Sequence, residues 1–167
     1  ADSAHRPQLV VTRPDAKQGR GQKLSPPPVA LLARELGIEV IQPEDLHAPE
    51  VLQQIADAQP EVLTTCAYGV LIKEPLLSDY EMINVHPSLL PRWRGAAPIE
   101  RAIMAGDQQT GVAIMRVTAG WDSGPVYAVA SEPIGADDDY GTLSKRLETV
   151  GAELLVKTLD EHPRPLE

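Results

Sequence analysis

Short β-rich runs alternate along this chain with stretches whose apolar residues recur every three or four positions, and both can be buried at once only by laying helices on a sheet. Residues 8–12 (QLVVT) read as a short buried strand. Val29, Leu32, Ala33 and Leu36 then recur at helical spacing, with Gly37 as a C-terminal stop. Residues 38–41 form a strand and 49–58 a helix. The segment 61–67 (EVLTTCA) is nearly continuous in apolar character, as in a strand covered on both faces. Residues 82–86 form another strand, which Pro87 ends because proline has no N–H for the ladder. A loop, SLLPRWRGAAP, opens into a helix at 98–105, where Pro98 suits the first turn. Residues 110–117 and 126–131 read as a hairpin-like pair of strands around the turn 120–124. Leu143, Leu147, Val150, Leu154 and Leu155 mark an amphipathic helix at 141–159. The expected class is α/β, a mostly parallel sheet flanked by helices.

With 167 residues the chain suits one domain. Its longest apolar-leaning stretch, 62–72, is broken by Thr64, Thr65 and Tyr68 and falls short of the roughly 20 residues of a membrane span. The start, ADSAHRPQ, has no export pattern, so a cytoplasmic protein away from the membrane is expected. Cys66 is the single cysteine, which excludes an internal disulfide and a multi-thiolate metal site, and its apolar neighbours suggest an inert core thiol. His5, His47, His86 and His162 are scattered, so no metal is expected. A net charge of −9 argues against an all-over grip on nucleic acid. Locally, Arg13, Lys17, Arg20 and Lys23 outweigh Asp15, and Gly19 and Gly21 make this basic segment a loop. Arg92, Arg94 and Arg101 form a second basic group, and either group suits a solvated surface as well as a binding one.

In INVHPSLLP, Asn84 and His86 stand two apart at a strand end, so both side chains leave from one face while Val85 points to the other. Ligands of open α/β sheets bind beyond the carboxyl ends of strands, which is where this pair sits. In GWDSG, Gly120 and Gly124 let the backbone turn tightly around Asp122. Each element has an ordinary alternative: a hydrogen-bonded histidine, an aspartate bonding its own turn, and a packed connector whose Leu89 and Leu90 tuck inward.

Taken together, INVHPSLLPRWRGAAPIERAI, GDQQTGVAIM, GWDSG and DDDYGTL closely resemble the folate-dependent formyltransferases, over about residues 8–165. RPDAKQGRGQKLSPPPV and AYG resemble the methionyl-tRNA branch in particular. The resemblance implies a Rossmann-like formyltransferase fold that takes a formyl group from 10-formyltetrahydrofolate and delivers it to the amino group of initiator methionyl-tRNA. It implies a catalytic trio of Asn84, His86 and Asp122. Folate would lie against Ser88, Leu89, Leu90 and Pro91, helped by Tyr68 and Gly69, and the basic loop with Arg13, Lys17, Arg20 and Lys23 would reach the tRNA acceptor end. A monomer without metal is expected. Other amines, such as a nucleotide-linked amino sugar or glycinamide ribonucleotide, stay open, as does hydrolysis of the folate, because the same trio serves them.

Chains of this family begin with a strand, a glycine-containing loop and part of a helix where this one has ADSAHRP, and the methionyl-tRNA branch adds a C-terminal β-barrel domain. The resemblance therefore implies that 1–167 is a formyltransferase domain shortened at both ends, without the first strand. This stretch alone is expected to be inactive or barely active, or to be a fragment that binds folate or RNA weakly. Trp121 stands where a leucine is common, and Pro87 where glycine also occurs.

Overall fold

The computed structural model describes residues 3–18 and 22–161, in two compact units, 1–61 and 62–167. In the first unit, β1 (Leu9–Val11) and β4 (Glu39–Ile41) pair in parallel, Val10 opposite Val40. Between them lie β2 (Ala16–Gln18), β3 (Lys23–Ser25) and α1 (Pro28–Glu35), and after them α2 (Pro49–Asp57). The basic segment expected as a loop carries an antiparallel hairpin: β2 pairs with β3, and Lys17 stands opposite Leu24. Its glycines and Arg20 lie outside the described residues. The root of the hairpin is tied down, because Gln42 Nε2 donates to the Arg13 carbonyl and to Asp15, each at 2.8 Å. Helix α1 buries Ala30 and Ala33, whereas Val29 and Leu32, expected on its inner face, are about half exposed. Helix α2 buries Val51 and Ile55, one turn apart on one face.

The second unit holds β5 (Leu63–Cys66), α3 (Leu76–Asp79), β6 (Met82–His86), α4 (Pro98–Met104), β7 (Gln109–Arg116), β8 (Val126–Pro133) and α5 (Tyr140–Glu161). The sheet order is β5-β6-β7-β8. β5 and β6 are parallel, while β6–β7 and β7–β8 are antiparallel. Among the described residues the parallel pairings are thus β1–β4 and β5–β6, with the late hairpin-like pair, β7 and β8, found as anticipated. β5 departs from its expected double cover. Its exposure alternates, with Thr64 and Cys66 outward, so Cys66 is an exposed thiol and not a core one. Helix α3 is a short turn that no apolar period announces.

One face of this sheet carries Ile83, Val112 and Ile114, which form a buried cluster with Ile99 of α4 and with Leu143 and Leu147 of α5. Helix α5 comes close enough that a Cβ on Gly151 would sit 3.2 Å from Val85 Cγ1, so glycine is what lets helix and strand meet there. Its start is fixed reciprocally. The Thr142 amide donates to Asp139 Oδ1 at 2.8 Å, and the Asp139 amide is 3.1 Å from Thr142 Oγ1, a capping pair that satisfies first-turn N–H groups. With one face of β6 taken by α5, Asn84 and His86 project from the opposite face, beside their register partners Met115 and Ala113. Among the described residues no helix is long and apolar enough to cross a membrane.

Candidate functional site

The residues the sequence singled out converge. Strand alternation puts Asn84 and His86 on one face, and the turn after β7 brings Asp122 onto them. Asn84 Nδ2 donates to Asp122 Oδ1 at 3.2 Å, and Asp122 Oδ2 stands 3.5 Å from His86 Nδ1. His86 is 5% exposed, seated over Ala113, a buried partner small enough to leave the imidazole room. An ionised carboxylate can only accept, so Asn84 must turn its NH2 toward Asp122 and its Oδ1 away. That Oδ1 accepts from the Thr65 hydroxyl at 2.8 Å, and Thr65 is the register partner of Asn84 on β5. One Asn84 N–H is thereby used and the other stays available.

The loop after β6 completes the site. The Gly95 amide donates to Asp122 Oδ2 at 2.9 Å, and His86 Nε2 lies 3.0 Å from the Trp93 carbonyl. A carbonyl oxygen only accepts, so Nε2 carries a proton and Nδ1 is the nitrogen turned to Asp122. Trp93, Ala97 and Asp122 all have positive φ, at 60°, 53° and 43°. Side-chain-bearing residues in this left-handed region cost about 1–2 kcal/mol each, and such strain gathers where a geometry is imposed by surrounding contacts.

Behind the loop, Asp107 accepts from Arg92 Nη2 at 2.6 Å, from Arg92 Nε at 2.8 Å and from Trp93 Nε1 at 2.7 Å. The Arg92 hydrogen bonds first, and that of Trp93 second, hold the Asp107 carboxyl down at about 2. The Arg92 and Arg101 guanidinium groups stand 4.1 and 4.8 Å from the Trp93 ring centroid. The second basic group is therefore not simply a solvated patch, since two of its arginines stand against a tryptophan.

The residues expected to touch folate divide. Tyr68 and Gly69 follow the end of β5, where Cys66 pairs with Val85, so they sit at the same sheet end as His86. Pro91 is exposed after a cis Leu90–Pro91 bond, and Leu89 and Leu90 are half-buried. Leu89 lies against β7: a Cβ on Gly111 would fall 2.6 Å from its Cδ2. Ser88 is fully buried, and its hydroxyl donates to the Arg92 carbonyl at 2.6 Å, so it closes the loop from within. Arg13, Lys17 and Lys23 are exposed in the first unit. Among the described residues no cluster of His, Cys, Asp and Glu could hold a metal ion.

With this geometry in view, a family model described as formyl transferase matches residues 3–159. The chain belongs to the formyl transferase family. Its curated relatives include methionyl-tRNA formyltransferases of Methylococcus capsulatus, 45% identical over 94% of this chain and 52% of that protein, and of Paracoccus denitrificans, 48% identical over 98% and 56%. The chain thus spans about half the length of these formyltransferases. Among solved structures, phosphoribosylglycinamide formyltransferase from Bacillus halodurans matches with a TM-score of 0.78 and 28% identity, over 95% of this chain and 81% of that one. These matches bear out the Rossmann-like formyltransferase fold read from the motifs.

Residues that the sequence did not single out complete the candidate site: Thr65, Trp93, Gly95 and Asp107. For Thr65 there was a signal, a polar residue inside an otherwise apolar strand beside the Asn84 strand. For Asp107 there was none, because its partners lie 14 and 15 positions away and only the folded loop brings them together.

Proposed function

We propose that this chain is the formyl-transferring domain of a methionyl-tRNA formyltransferase, which moves the formyl group of 10-formyltetrahydrofolate to the amino group of initiator methionyl-tRNA before translation starts. The observation that carries the reading is the Asn84–Asp122–His86 convergence, in a chain 45 to 48% identical to proteins with that name.

The chemistry follows from the donors. The lone pair of the attacking amine forms a C–N bond to the formyl carbon, and the carbonyl π electrons move onto oxygen. Donors already aimed at that oxygen lower the barrier because they need no reorganisation as charge develops. The second Asn84 N–H and the Nδ1–H of a protonated His86 are such donors. Asp122 holds both by its contacts and accepts the amine proton directly or through one water. Collapse of the tetrahedral centre breaks the bond to the folate nitrogen, which leaves with the proton that Asp122 took from the amine. Leu89, Leu90, Pro91, Tyr68 and Gly69 are proposed to line the folate, with Ser88 keeping their loop closed. Exposed Lys17 and Lys23, with Arg13 at the hairpin root and with Arg20 of the same basic segment, are proposed to meet the tRNA phosphates.

Methionyl-tRNA is favoured over glycinamide ribonucleotide by the 45 to 48% identity, against 28% for the phosphoribosylglycinamide enzyme. A competition assay tests this. The full-length protein, given 10-formyltetrahydrofolate with methionyl-tRNA, glycinamide ribonucleotide and a nucleotide-linked amino sugar together, should formylate the tRNA in preference. Preferential modification of either small amine would overturn the assignment.

A further inference from the structure

His86 is held on two sides, and the side away from Asp122 is built on a residue outside the trio. Helix α4 ends in a Schellman turn: the Gly106 amide bonds the Ile103 carbonyl at 3.0 Å, and the Asp107 amide bonds that of Ala102 at 3.1 Å. Gly106 takes φ 68°, a conformation glycine adopts without penalty. Asp107 is therefore anchored through its own backbone to a helix whose Ile99 belongs to the core cluster.

From that anchor its carboxylate grips two consecutive side chains of the loop, Arg92 in a two-pronged bond and Trp93 through the indole N–H. The carbonyls of the same two residues face inward. That of Arg92 accepts from the Ser88 hydroxyl, and that of Trp93 from His86 Nε2. Trp93 presents its carbonyl to His86 from a left-handed backbone with φ of 60°, and the grip on its side chain opposes relaxation of that strain.

We propose that Asp107 is a positioning residue for His86, acting through Arg92 and the Trp93 carbonyl to fix which imidazole nitrogen faces Asp122 and the substrate. This rests on the formyl-transfer reading only for its effect on rate; the orientation of His86 stands apart from it. Charge-assisted, two-pronged bonding makes the carboxylate hard to replace by an amide, since in either orientation an Asn NH2 would face at least one guanidinium N–H. Misplacing a reacting group by about an ångström can cost on the order of 10²-fold in rate.

The test uses full-length protein labelled with 15N-histidine, with the His86 signal assigned by its absence in His86→Gln. Wild type should give an Nε2–H that is protected from solvent exchange, with Nδ1 unprotonated or bonded to Asp122. In Asp107→Asn that protection should be lost and the two nitrogen shifts should move toward each other, while kcat for formyl transfer falls roughly 10- to 100-fold and KM for the formyl donor changes less than about twofold. Trp93→Phe keeps an aromatic ring beside the arginines but removes one bond to Asp107, so it should loosen the same proton less. It also serves if Asp107→Asn does not fold. Full protection of His86 Nε2–H in a folded Asp107→Asn or Trp93→Phe protein would overturn the proposal. If wild type shows the protected proton but transfers no formyl group to methionyl-tRNA, the functional assignment fails and the positioning result is read from the spectra alone.

Discussion

Asp122 Oδ2 stands 3.5 Å from His86 Nδ1 while the Asp122 Oδ1 atom accepts from Asn84, so one carboxylate orients both groups proposed to act on the formyl carbonyl. Replacing Asp122 by Asn keeps the shape but turns one of the two acceptor oxygens into a donor, which sets it against either Asn84 Nδ2 or the Gly95 amide. Asp122→Asn, Asn84→Ala and His86→Gln are each expected to lower kcat by about 10²- to 10³-fold, with a folding temperature within a few degrees of wild type. Single-turnover formylation and thermal melts, run side by side, check this. A kcat within threefold of wild type in a folded variant would remove that residue from the mechanism.

Thr65 gives a subtler prediction. Its hydroxyl donates to Asn84 Oδ1 from the neighbouring strand and so discourages the amide from flipping. Thr65→Val preserves the β-branched shape and the strand preference, and removes that bond together with the longer 3.4 Å contact of the hydroxyl to the Ile83 carbonyl. A fall in kcat of about 10-fold, with destabilisation near the ~1 kcal/mol typical of one hydrogen bond, is expected. Thr65→Ser retains the hydroxyl and should recover most of the rate, and failure to recover would mean that packing, not the bond, matters at this position.

How much of this was legible in the sequence differs by element. β6 was read to its ends because Pro87 stops it, and the capped α5 was read to within two residues because five apolar residues keep helical period. The basic hairpin was read as a loop because its strands are three residues each and polar, so no alternation marks them. The exposure of β5 on one side, and of Val29 and Leu32 on α1, could not be read from hydropathy, which ranks a residue without saying what covers it. Asn84, His86 and Asp122 were found through their motifs. Asp107 and the buried role of Ser88 are properties of the closed loop, set by distances that no local pattern encodes.

The approach of Leu89 to Gly111 predicts a defect without a change in charge. A methyl group at 111 would meet the Ala130 carbonyl oxygen at 2.1 Å and Leu89 Cδ2 at 2.6 Å. The leucine can move, whereas the backbone oxygen of β8 is held in the ladder. Gly111→Ala should therefore open the β7–β8 pairing locally and push the loop at 88–91 outward. Overpacking of this kind costs typically 1–3 kcal/mol. The expected readings are a lower folding temperature and a raised KM for 10-formyltetrahydrofolate, by thermal melt and by initial rates. An unchanged KM in the destabilised variant would separate the loop from folate binding.

Acid stability provides the last prediction. Asp107 sits at about 2, lowered first by its bonds to Arg92 and then by that to Trp93, and Asp138 is held well below the usual carboxylate range by Arg146, the Gly135 amide and Thr142. Unfolded aspartates titrate near 3.9. A carboxyl that is lowered in the folded state contributes stability above its unfolded value, and that contribution disappears as pH falls through its folded value. For Asp107 the window therefore runs from about pH 4 down to about pH 2. Asp107→Asn should melt below wild type at pH 6, and the gap should narrow progressively between pH 4 and pH 2, where protonation removes the same charge from the wild-type side chain. Asp138→Asn should behave alike, with its gap persisting further into acid because Asp138 is lowered more. Melting curves at half-unit pH steps decide it: a gap of constant size down to pH 2 would mean that shape, and not the charge of these carboxylates, accounts for the loss.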